Sequence, residues 1–281
     1  MNQLPSPVEQ HYSREGLFEI IVQRLKEKGI EQMTRKDIAG IDEFHVRGAA
    51  VSMELAAEIG FTEDTKLLDI GCGLGGPCRM LADEFNCNVT GIDITQEFIR
   101  TAILLSEAVG LKNKVNFIQA DALALPFKDE SFDVVWTQHV QMNIENKSQF
   151  YSEIKRVLVK GGQFIYYDIF KKTDDTLRYP LPWADQSSLS FLMTIEELDT
   201  LLNEKGFTKV QTKDQTSQAK IFFTELFDKM EKQGASKIGL DLIMGSATGL
   251  KFGNLLNNIE EDKLELQSGM YVKQQGKTII K

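Results

Sequence analysis

Residues 67–76 read Leu-Leu-Asp-Ile-Gly-Cys-Gly-Leu-Gly-Gly. A short apolar run stops at a glycine-rich turn, and a helical pattern opens at Gly76. Glycines in such a turn admit a positive φ and let backbone come close to a ligand. The carboxyl end of a strand is also where open α/β sheets bind ligands. Two motifs fit this turn. Gly71, Gly73 and Gly76 satisfy G-x-G-x-x-G, the dinucleotide fingerprint. Asp69 with Gly71, Gly73 and Gly75 satisfies D-x-G-x-G-x-G. Both forms want an acidic residue at the end of the next strand, and Asp93 stands there.

Outward from the turn, strand and helix patterns alternate. Strands are expected at Lys66–Ile70, Asn88–Asp93, Val115–Gln119, Phe132–Thr137 and Gln163–Ile169. Helices are expected at Gly76–Phe85, Gln96–Val109 (with Thr95 as N-cap) and Asn146–Val159. Strand–helix repeats at this spacing make right-handed crossovers and a parallel sheet covered on both faces. Two more strands are expected at Thr208–Thr212 and Met270–Lys273. The fold class is therefore α/β: a Rossmann-like, seven-stranded, mostly parallel sheet with helices on both faces and helical roof insertions. Before the sheet come a loose tail (1–13) and helices at Arg14–Lys28 and Arg47–Ile59. We expect residues 1–59 to form an N-terminal helical lid and 60–281 the ligand-binding domain. Its roof insertions fall at about 171–192 and 216–265, with a helix at Ile195–Glu204 between them.

Composition narrows the function. Of 281 residues, 42% are hydrophobic and 26% charged, enough apolar material for a globular core. The formal charge of −9 argues against a nucleic-acid partner, which calls for a basic face. No run is long and apolar enough to span a membrane, and the N-terminus lacks a signal-peptide pattern. Cys72, Cys78 and Cys87 are odd in number and fit no zinc spacing, so they read as reduced thiols of a cytoplasmic protein. His11, His45 and His139 are scattered, and no metal site is expected.

Three features separate the two readings of the glycine turn. Asp69 lies inside the strand end, where a carboxylate would repel a pyrophosphate. Asp121 follows the third strand in Gln119-Ala-Asp-Ala-Leu. The fourth strand, Phe132–Thr137, opens into Gln138 and His139. In order and spacing, residues 60–170 resemble class I S-adenosylmethionine-dependent methyltransferases. Segments 42–56, 73–82, 137–144 and 180–193 are similar to small-molecule enzymes grouped near the sarcosine/dimethylglycine N-methyltransferases. That group extends to quinone, tocopherol and sterol methyltransferases. The chain departs from the named N-methyltransferases at His139, where an acidic residue often stands.

The resemblance implies S-adenosyl-L-methionine as cofactor and a small-molecule methyl acceptor, on N, O or C. It implies that Asp93, with Ile94 beside it, takes the ribose hydroxyls. Asp121 accepts from the adenine amino group, and the Ala122 amide answers a ring nitrogen. Asp69, Gly71, Gly73 and Gly75 make the turn around the methionine part, and Gln138 faces the same end. Arg47 either meets the cofactor carboxylate or is a solvated helix-start arginine. Arg79 offers the same choice, between a carboxylate and a snorkelling side chain. His139 is the candidate to orient or deprotonate the acceptor; otherwise it bonds backbone at a helix start. Phe44, Trp136, Tyr166, Tyr167 and Trp183 form either an aromatic cage for an ammonium or ordinary core. Alternatives are an NAD-dependent oxidoreductase, a non-catalytic S-adenosylmethionine-binding protein, and a cofactor-dependent cyclase on the same fold.

Overall fold

A computed structural model describes residues 15–234 and 238–275; the tail expected at 1–13 lies outside them. The strands are β1 (Lys66–Ile70), β2 (Asn88–Asp93), β3 (Val115–Gln119), β4 (Phe132–Gln138), β5 (Leu158–Lys171), β6 (Phe207–Asp214) and β7 (Leu264–Lys273). They form one sheet in the order β3-β2-β1-β4-β5-β7-β6. Only β7 runs antiparallel to its neighbours. The order reverses between β1 and β4, which opens a crevice above their carboxyl ends.

Alternation within the central strands covers both faces of the sheet. Leu67, Val134, Trp136 and Ile165 enter one apolar layer, while Leu68, Val135, Phe164 and Tyr166 enter the other. Helices at α1 (Leu17–Lys26), α2 (Arg35–Asp42), α3 (Ala49–Ala56), α4 (Gly76–Glu84), α5 (Gln96–Ala108), α6 (Lys147–Val157) and α7 (Ile195–Glu204) cover or flank these layers. A third apolar cluster joins α1 and α2 to Phe98 and Leu105 of α5.

Several expected boundaries shift, each for a local reason. Helix α2 was not foreseen; its eight residues start at a capping box between Thr34 and Asp37. The helix expected at Arg47–Ile59 is shorter, because Arg47 and Gly48 both adopt positive φ ahead of it. Strand β5 begins five residues early. Leu158 already pairs with Phe132, and a register shift lets the chain pass Gly161 before Gln163 pairs with Val134. Strand β7 begins at Leu264 rather than Met270, since Ser268 and Gly269 interrupt the apolar alternation that starts at Leu264 and Leu266. Thr95 occupies the N-cap of α5 but makes no side-chain cap bond.

The stretch expected as broken helix at 216–260 forms α8 (Thr216–Gln233), α9 (Asp241–Met244) and α10 (Thr248–Glu260). Ala219, Phe223, Leu255 and Ile259 pack into the same layer as Leu181 and Trp183. The Asn254 and Asn258 amides donate to Pro180 O and Arg178 O, both at 3.1 Å. Lys251 pairs with Asp185 at 3.0 Å. These helices therefore hold the 171–192 segment in place over the sheet.

Candidate active site

Strand β1 delivers Asp69 to a turn whose shape depends on two close approaches. A Cβ on Gly75 would sit 2.5 Å from the Phe117 ring, at φ +81°. A Cβ on Gly76 would sit 1.8 Å from Asp42 O, so helix α4 starts flush against the end of α2. The turn is tied sideways to β2, because the Gly71 and Cys72 amides donate to Ile92 O at 2.8 and 2.9 Å.

Above this turn lies a cavity of about 480 Å³. That is the scale of small-molecule and cofactor pockets. Asp69, Gly71 and Gly73 line it from the turn, and Asp93 and Ile94 from the end of β2. Asp121 and Ala122 line it after β3, and Gln138 and His139 after β4. Gly75 and Arg47 are not on its walls. Gly75 is needed for packing on Phe117. The Arg47 guanidinium is held by Glu54 at 2.5 Å and by Gln215 at 2.9 Å.

The carboxylates have distinct settings. Asp93 accepts from Gly73 N at 3.1 Å and Thr95 N at 2.8 Å, and burial raises its pKa despite these donors. Asp121 accepts from Leu123 N at 2.8 Å through one oxygen. Asp69 is buried and accepts from the Cys78 thiol at 3.2 Å; burial pushes its carboxyl up to about 7. A carboxylate so placed is under-compensated and suited to a cationic ligand.

His139 sits at φ +53°, uncommon for a residue with a side chain. Its amide donates to Tyr167 O at 2.8 Å, while its buried Nε2 has no hydrogen-bond partner among the described residues. Burial first, and the neighbouring His45 second, hold its pKa well below the usual range, so the imidazole is neutral at pH 7. The loop that follows is fixed by Asp168, which accepts from Val140 N at 3.3 Å and Gln141 N at 3.1 Å. The His45 ring lies 6.0 Å from that of His139. His45 bonds Glu43 at 2.8 Å, Ser52 donates to Glu43 at 2.6 Å, and Gln138 donates to Ser52 at 3.1 Å. Sequence reasoning missed Glu43 and Ser52; the acid two positions before His45 was the available signal.

Arg79 neither snorkels nor faces the cavity. It is fully buried, paired with Asp42, and donates to Leu74 O at 2.7 Å and Ser106 at 2.9 Å. Arg79→Ala is expected to cost about 3–5 kcal/mol, because it strands the buried Asp42 charge. Urea unfolding measures this; a loss below about 1 kcal/mol contradicts the structural role. Of the aromatic residues, Phe44 and Trp183 reach the cavity wall. Trp136, Tyr166 and Tyr167 are core, with Tyr166 on the opposite face of the sheet.

Residues 68–166 match the family described as "Methyltransferase domain". This part of the chain is a methyltransferase domain. The chain is 39% identical over 114 residues to a sterol 24-C-methyltransferase of Gibberella zeae, covering 41% of this chain and 30% of that protein. A wider match, 26% over 220 residues, is to phosphoethanolamine N-methyltransferase 1 of Zea mays, covering 78% and 43%. The chain thus matches less than half the length of these two curated relatives.

Solved structures share the fold. A Haemonchus contortus phosphoethanolamine N-methyltransferase 2, in complex with S-adenosyl-L-methionine, superposes with a TM-score of 0.70 at 20% identity, covering 91% and 60%. A structure assigned to the sarcosine dimethylglycine methyltransferases, from Galdieria sulphuraria, gives 0.68 at 19%, covering 81% and 85%. The [4+2]-cyclase SpnF gives 0.69 at 20%, covering 98% and 100%. Likeness at this identity establishes the fold, and the fold hosts more than one reaction. Among the described residues no helix is long and apolar enough to cross a membrane, and no His/Cys/Asp/Glu cluster could hold a metal ion.

Proposed function

We propose that this chain transfers a methyl group from S-adenosyl-L-methionine to a small-molecule acceptor. One observation carries the reading: a single cavity gathers the glycine turn, Asp93, Asp121 and a neutral buried histidine above the β1/β4 crevice. The wall chemistry fits the cofactor. Asp69 is a buried carboxylate whose side chain meets a thiol rather than a cation, matching the ammonium of the methionine part. Asp93 retains lone pairs for the two ribose hydroxyls while holding Gly73 and Thr95. The second oxygen of Asp121, unbonded among the described residues, serves the adenine amino group, and Ala122 offers its amide alongside. Gly71, Gly73, Ile94 and Gln138 complete the cofactor walls.

When bound, the cofactor supplies an electrophilic methyl group. The protein's part is alignment and exclusion of water. Residues 15–59 and 171–192 act as the lid: Phe44 and His45 close one side, and Trp183, Leu189 and Phe191 the other. His139 accepts a proton from an acceptor that must lose one, as a neutral imidazole can at pH 7.

The pH dependence of product binding tests the cofactor site. The Asp69 value of about 7 lies above that of an exposed aspartate, so the free folded chain keeps the proton at pH 6 and releases it as pH rises through 7. An ammonium beside Asp69 favours the ionised form. The affinity for S-adenosylhomocysteine is therefore expected to rise by up to about tenfold per unit below pH 7 and level off above it. Titration calorimetry from pH 5.5 to 8.5 reads this directly. A flat profile with Asp69→Asn binding like the parent contradicts the placement of the methionine end.

A further inference from the structure

We infer that the methyl acceptor carries no anionic group: it has an apolar body and bears no phosphate, diphosphate or carboxylate. This rests on the proposed function and concerns the part of the cavity the cofactor leaves. Among the described residues, neither lysine nor arginine lines the cavity. Five carboxylate residues do: Asp42, which is paired with Arg79; Asp69, Asp93 and Asp121, which the proposed cofactor takes; and Glu145.

Four cations on neighbouring elements are engaged elsewhere. Arg79 is locked onto Asp42 and the Leu74 carbonyl. Arg47 is held by Glu54 and Gln215. Lys147 donates to three carbonyls, those of Gln141, Ile144 and Phe191, which join the loop after β4 to the roof. Lys251 pairs with Asp185 beside Trp183. Recruiting any of them to an anion would break a bond that holds the walls together.

In the part of the cavity the cofactor leaves, an acceptor anion would thus be partly buried with Glu145 on the wall and no lysine or arginine among the described residues to meet it, which is unfavourable. Around His139 the roof and loop instead present Phe44, Val140, Ile144, Trp183, Leu189 and Phe191. Apolar and aromatic walls with a few polar groups bind an uncharged molecule by burial and leave orientation to hydrogen bonds. Asn143 and Asn146, on the same loop, supply neutral donors and acceptors for that purpose.

The test uses the full chain saturated with S-adenosylhomocysteine. Saturation is confirmed first, by a melting shift; failure at that step overturns the cofactor reading and is seen before any acceptor is added. Matched probes are then titrated calorimetrically: geraniol against geranyl diphosphate, p-cresol against p-cresyl phosphate, and methyl cinnamate against cinnamate. The expected result is that at least one uncharged member binds, and that every uncharged binder exceeds its anionic counterpart by about tenfold or more. Tighter or equal binding of any anionic member overturns the inference. So does a panel in which no uncharged member binds at millimolar concentration.

Discussion

Asp93→Ala is expected to weaken S-adenosylhomocysteine binding by about 100-fold or more, through loss of two charge-assisted hydrogen bonds worth about 1.5 kcal/mol each or more. The carboxylate stands at the end of β2, where it joins the glycine turn to the start of α5 through Gly73 N and Thr95 N. Its removal takes both the ribose acceptor and that clasp. The fold itself should survive. Asp93 is only half-buried by exposure, and its burial already disfavours the charge, so deleting it relieves a penalty as it removes two bonds. Circular dichroism and melting separate the two effects. Binding within about threefold of the parent, in a folded variant, means that the ribose lies elsewhere.

His139→Ala is expected to lower turnover by about 100-fold or more while product binding changes little, the usual range for a lost general base. His139→Asn is the stricter variant, since asparagine tolerates the positive φ at this position and keeps the loop in place. Both should fall together in turnover if the imidazole takes the proton. Because burial holds the His139 pKa well below the ordinary histidine range, turnover should show no histidine-like loss as pH falls through 6.5. Full activity in His139→Asn would leave the histidine a positioning role only.

Much of this was readable from the chain because short strand patterns alternate with helical ones at regular spacing, each strand keeping two or more apolar residues. β1, β2 and β3 fall where the residue pattern puts them, and the glycine turn follows from them. Legibility failed where the pattern was local chemistry rather than periodicity. Helix α2 rests on a Thr34–Asp37 capping box in a stretch too polar to show a hydrophobic face. The first half of strand β7 is cut off from the second by Ser268 and Gly269, and the early start of β5 depends on a glycine-assisted register shift. Arg79 and Arg47 were equally ambiguous, since only the folded chain brings Asp42 to one and Glu54 and Gln215 to the other. Glu43 and Ser52 gain meaning only beside Gln138, which lies 86 residues from Ser52 along the chain.

The most direct test of the central claim is thermal unfolding of ligand-stripped protein with S-adenosylhomocysteine, alongside NAD⁺ and NADH. At about 100 times its dissociation constant, a ligand stabilises its protein by about 2.7 kcal/mol, several degrees for a chain of this size. A shift of that order with S-adenosylhomocysteine, and none with the nicotinamides, is the expected result. A shift with NAD⁺ or NADH, and none with S-adenosylhomocysteine, would contradict the reading of the glycine turn and of the carboxylates around it.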